Sequence, residues 1–142
     1  MSSTFKYRLG NFGSLGGLAA DLTAEHRAPG AGEEPGLRVH RDVWLTLPCG
    51  THWRDAAWLS FGLSAHSADL ASAHPGGLVV EVTALAFPLA HFRSEAAALA
   101  MDGWVRREFT LPDRGLRAVP DSGNGAWRFE WGSHAHPFSD KP

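Results

Sequence analysis

The sequence predicts an α+β fold in a single domain spanning 1–142: a mostly antiparallel sheet with one main helix packed on it and a C-terminal β-hairpin. Three observations carry that expectation. Several short segments alternate apolar and polar residues, as Val39, Val43, Leu45 and Leu47 do against Arg38, His40, Asp42 and Thr46. One segment, after Ser94, places Ala97, Ala100, Met101, Trp104 and Val105 on a single helical stripe. A chain of 142 residues can bury one core without disulfides.

Taken in order, Phe5 to Leu9 alternates apolar and basic residues as a half-buried strand does, and Gly10, Gly13, Gly16 and Gly17 follow it. Leu15, Leu18, Ala19 and Leu22 recur at helical spacing and predict a short helix from Leu15 to Arg27, with a second strand as the rival. Residues 28–36 hold Pro, Gly and Glu with little to bury, so a flexible loop or linker is expected there. Val39 to Leu47 then reads as one strand ended by Pro48 and Gly50, and Ala57, Leu59, Phe61 and Leu63 read as another. His74 to Gly77 marks a turn before the apolar run Leu78 to Phe87, the expected central strand. Ser94 stands where an N-cap would, with Glu95 in the first turn of the main helix. Asp121 to Gly125 separates the two arms of the hairpin, in which Trp127, Phe129 and Trp131 share a face.

Composition narrows the function classes. The 13 basic and 15 acidic residues give a net charge of −2, which argues against nucleic acid or an anionic membrane as the partner and leaves room only for a local basic patch. Cys49 is the single cysteine, so no internal disulfide and no cysteine-based zinc site can form, and a reducing, cytoplasmic setting follows. The N-terminal segment lacks a signal-peptide core and no run reaches a membrane span, so a protein that is soluble and not exported is expected.

Three groups of residues could carry chemistry. His40 and Asp42 on one strand, with His52 and Asp55 after Cys49, could form an acid–base cluster, because a carboxylate orients an imidazole and raises its basicity. His134 and His136 would share a face of an extended segment, with Asp140 beyond, but two imidazoles are too few to hold a metal, and none is expected. The glycine-rich stretch Gly10 to Gly17 lacks the Lys-Ser/Thr of a phosphate loop and reads as a connection, so no cofactor is expected. Trp44, Trp53 and Trp58, with Arg41 and Arg54 beside them, are the residue types that dominate binding surfaces.

The strand Leu37 to Trp44, a further strand, the strand Pro75-Gly-Gly-Leu-Val-Val-Glu-Val-Thr83 and the helix opening Ser94-Glu-Ala-Ala-Ala-Leu-Ala-Met101 together resemble domain IV of translation elongation factor G. That family has a ribosomal-protein-S5-domain-2-like fold in which a V-x-V-T-type strand leads to an S-E-x-A helix. The family's long helix before that strand would correspond here to Ser67 to Ala73, and its GTPase domains have no counterpart. The resemblance implies a small α+β binding module.

The leading expectation is therefore a non-catalytic cytoplasmic module that recognises a protein partner through Trp44, Trp53, Trp58, Arg41 and Arg54. The alternatives are a small hydrolase or lyase-type enzyme using His40, Asp42, His52 and Asp55, and a metal-binding protein using His134 and His136.

Overall fold

The computed structural model describes residues 1–10, 17–88, 93–121 and 126–139, and no side-chain description covers Ala126. A five-stranded sheet forms from β1 (Ser3–Leu9), β2 (Leu18–Arg27), β3 (Leu37–His40), β4 (Val43–Thr46) and β5 (Leu78–Ala86), in the order β1-β2-β5-β4-β3. The β1–β2, β2–β5 and β3–β4 pairs are antiparallel, and β4–β5 is parallel. Helices α1 (Trp53–Ser64) and α2 (Ser67–Ala73) link β4 to β5, α3 (Glu95–Phe109) follows β5, and β6 (Leu116–Asp121) and β7 (Ala126–Trp131) form the antiparallel C-terminal hairpin. The α+β architecture, the central place of β5, the main helix on the sheet and the hairpin all agree with the sequence reading.

Three elements differ from that reading. The stretch expected as a helix from Leu15 to Arg27 is the strand β2. Leu18, Ala20, Leu22 and Ala24 are all 0% exposed on one face, while Asp21, Thr23 and Glu25 take the other, so the same residues satisfy a period of two. Partners on both sides, β1 and β5, supply the backbone hydrogen bonds that decide between the two periods.

The expected strand Ala57 to Leu63 is instead α1. His52 caps it, its Nδ1 accepting from the Arg54 backbone N–H at 3.1 Å, and Asp55 stands in the first turn. Trp58 and Gly62 bury along with Leu59, Phe61 and Leu63, which breaks strict alternation and marks a helix face. Topology requires it as well, because parallel β4 and β5 need a long crossover.

The single strand expected from Val39 to Leu47 is a hairpin that reverses at Arg41, whose φ of 49° lies in the left-handed region. Ser94 precedes α3, but its backbone is already helical and its side chain makes no capping bond. The turn expected at 121–125 and the glycine-rich connection at 10–17 lie mostly outside the described residues.

Helix α3 is buried at every residue from Ala96 to Val105, because the sheet, α1 and β6 surround it. Gly62 lets α1 approach it closely: a Cβ there would meet the Ala98 carbonyl oxygen at 2.5 Å. One apolar core joins Leu22, Leu45, Leu59, Val80, Trp104 and Trp127, so both sheets share it.

Residues 28–36 cross from β2 to β3 without regular structure. Glu33 accepts two hydrogen bonds from Arg27, at 2.7 Å each, and one from the Gly30 N–H at 2.7 Å. These bonds hold the Glu33 carboxyl well below its usual range, at about 2. Pro29 faces Gly77, where a Cβ would come within 2.8 Å of its ring.

Candidate binding surface on the first helix and the C-terminal tail

The tail after β7 lies along α1. Its odd and even positions face different ways, as an extended segment requires. His136 stacks on Trp58, with ring centroids 5.6 Å apart and 23° between planes, and Phe138 meets Trp58 at 5.4 Å. His136 Nδ1 accepts from the Phe138 backbone N–H at 3.2 Å, and the His134 ring meets Phe61 edge-on at 6.4 Å. Both histidines of the tail are thus half-buried against aromatic rings. Asp140 lies outside the described residues, among which no group of three or more His, Cys, Asp or Glu could hold a metal ion.

Two clefts flank this tail. On one side Ala135 and Pro137 close an apolar groove of about 400 Å³ whose other walls are β3, through Leu37 and Val39, and α1, through Ala57 and Phe61. On the other, Trp58, Trp131, His136 and Phe138 line a cleft of about 430 Å³ with Arg54, Arg128 and the carboxylate of Glu95 at its polar positions. Trp53 and Phe138 meet at 5.8 Å and are 61% and 39% exposed. Arg54 lies 5.1 Å above the Trp53 ring and 5.2 Å above that of Phe138, a cation stacked on two exposed aromatic faces.

The three tryptophans singled out in the sequence therefore play different parts. Trp53 is on the surface, and Trp58, 4% exposed, is core floor beneath the tail. Trp44 sits on the opposite face of the sheet from buried Val43 and Leu45, with Arg38 stacked on it at 5.2 Å. Arg41 is at the β3–β4 turn, away from Arg54 at the start of α1.

The four acid–base candidates divide between the two ends of β4. His40 and Asp42 line a cleft of about 570 Å³ with Arg41 and His74, and His74 Nδ1 is held by the Leu70 carbonyl at 3.0 Å. His52 and Asp55 stand beyond the other end of this strand, where burial pushes the Asp55 carboxyl up and the nearby His52 opposes it. With β4 four residues long, the two pairs are separated by roughly 13 Å of strand, beyond any direct proton transfer. Cys49 is exposed.

Sequence reasoning overlooked a buried ionic cluster. His66, 0% exposed, donates from Nε2 to Asp102 Oδ1 at 2.7 Å, and Arg106 reaches Asp102 Oδ2 at 3.2 Å. The signal was present: Asp102 interrupts the apolar stripe of α3 and is 2% exposed, and a carboxylate so placed requires a partner. No helix among the described residues is long and apolar enough to cross a membrane. No protein-family model, no curated protein and no solved structure matches this chain.

Proposed function

We propose that the protein is a non-catalytic cytoplasmic interaction module that binds an extended segment of a protein partner on the surface formed by α1, the tail and β3. The observation that carries this reading is the exposed Trp53–Arg54–Phe138 stack, contiguous through the tail with the apolar groove beside β3. Aromatic and arginine side chains dominate binding energy at protein interfaces. Beside them, β3 ends the sheet, so its outer edge can add a strand while the groove takes alternate side chains. Arg38 and Arg54 at the margins favour a segment carrying acidic residues between apolar ones.

The resemblance to domain IV of elongation factor G contributes only the small α+β binding module. Of the elements quoted for that resemblance, β5 and α3 occur in the expected order, whereas the further strand before them is helix α1 and the run Leu37 to Trp44 is a hairpin. Against the acid–base reading stands the separation of His40 and Asp42 from His52 and Asp55. The exposed, unpaired Cys49 suits a reducing compartment.

Selection from a phage-displayed library of random peptides tests the reading. Recovered peptides should bind in extended form, slow amide exchange at β3, and lose about tenfold or more in affinity on Trp53→Ala or Arg54→Ala. Both substitutions are at exposed positions, so folding is retained. Failure to recover any peptide, or binding indifferent to both variants, overturns the proposal.

A further inference from the structure

We propose that the cleft between the β3–β4 turn and α2 binds a small zwitterion, a free α-amino acid with an apolar side chain, whose carboxylate meets Arg41 and whose ammonium meets Asp42 and His74. At about 570 Å³ the cleft is within the range of small-molecule sites. It shares no lining residue with the apolar groove or the aromatic cleft beside the tail, so the inference stands apart from the peptide-binding reading.

The turn itself is the first sign. Arg41 holds a φ of 49°, in the left-handed region where a two-residue hairpin turn favours Gly, Asn or Asp. Backbone strain of this kind gathers at functional sites. The Arg41 guanidinium makes no hydrogen bond or ion pair among the described residues, although Asp42, its neighbour in the chain, lines the same cleft. Arg38 braces the turn: its Nε donates to the Arg41 carbonyl, its guanidinium stacks on Trp44, and it reaches Asp42 Oδ1 only at 3.7 Å. Asp42 is held in place by the Leu78 N–H, which donates to its carbonyl at 2.9 Å, and by Gly77, where a Cβ would come within 3.3 Å of Asp42 Cβ. One cation and one anion, neither spent on the other, are matched by a ligand that carries both signs, whereas a simple anion or cation leaves one of them without a counterpart.

The histidines complete the set. His40 pairs with Val43 across the hairpin, so its ring takes the helix face of the sheet, towards α2, where it is half-buried and has no hydrogen-bond partner among the described residues. It is a second donor for the carboxylate. His74 Nδ1 donates to the Leu70 carbonyl at 3.0 Å, which leaves Nε2 of the neutral ring as an acceptor for the ammonium. Ala68, Ala71 and Pro75 supply the apolar wall against which a side chain can lie.

Backbone amide shifts in NMR, read during titration of the full chain with L-leucine, N-acetyl-L-leucine or L-leucinamide, test the proposal. L-leucine should shift Arg41, Asp42, Ser72 and His74 saturably, and each blocked derivative, lacking one of the two charges, should bind about tenfold or more weakly. Asn is at ease at a left-handed φ, so Arg41→Asn should keep or raise the melting temperature while abolishing L-leucine binding. Asp42→Asn should weaken L-leucine about tenfold and leave N-acetyl-L-leucine unaffected, which keeps the test open should Arg41→Asn not fold. The proposal is overturned if L-leucine moves none of these amides at about 10 mM, where even a millimolar site is mostly filled, if either derivative binds as tightly as L-leucine, or if the folded variants bind L-leucine like the parent.

Discussion

Replacing Gly62 by alanine sets two effects of known size against each other. In an isolated helix the change favours folding by about 1 kcal/mol, since alanine is the better helix former and glycine the more flexible unfolded residue. Here the new Cβ would lie 2.5 Å from the Ala98 carbonyl oxygen and 3.0 Å from Met101 Cβ. The first contact is with backbone, so no rotamer change relieves it, and α1 and α3 must part by close to 1 Å. Overpacking of this kind costs about 1–3 kcal/mol, and the upper end applies because separating the helices also loosens Leu59, Leu63 and Met101. The net expectation is a loss of about 2 kcal/mol. With an unfolding entropy of about 0.3 kcal/mol/K for a chain this long, the melting temperature should fall by roughly 7 °C. Gly76→Ala is the control, because nothing lies within 4 Å of its added Cβ and its φ is not positive. Calorimetry of both variants decides the matter. A Gly62→Ala protein as stable as the parent, or a Gly76→Ala protein equally weakened, would refute the close-approach argument.

Urea unfolding should separate the tryptophans: Trp58→Ser loses about 3–5 kcal/mol, whereas Trp53→Ser stays within about 0.5 kcal/mol, and equal losses would contradict their placement. Tyr7 is the chain's one tyrosine, so ultraviolet absorbance follows it alone; the folded protein should titrate at about 12, not 10.0. Because the folded state holds this proton more tightly, the linked stability is present below pH 10 and is lost as pH rises towards 12. A midpoint at 10 in the folded protein would place the ring in solvent. For Glu33 the sign is opposite: its folded value is lowered to about 2, so its contribution is present above pH 4.5 and is lost as pH falls towards 2. Carboxyl carbon shifts in NMR should show that midpoint, and Arg27→Ala should raise it towards 4.5, the Gly30 N–H bond still holding it below.

Local pattern by itself determined β1, β5, α3 and the C-terminal hairpin. In α3 the stripe from Ala97 to Val105 has one period that fits, and in β5 an apolar run on both parities needs cover on both faces. Tertiary structure decided the ambiguous segments. Leu18, Leu22 and their neighbours satisfy a helix and a strand equally, and only two partner strands select β2; Ala57 to Leu63 alternates, yet the crossover between parallel strands makes it α1. The same division runs through the candidate sites. The histidines and tryptophans were visible as residue types, with Trp53 and Arg54 adjacent in the chain. Which of them meet depends on contacts far apart in sequence: Trp58 with His136, Trp53 with Phe138, His66 with Asp102. Periodicity reports which face a residue occupies on its own element; the distance between two such faces is set by packing, which no local pattern encodes.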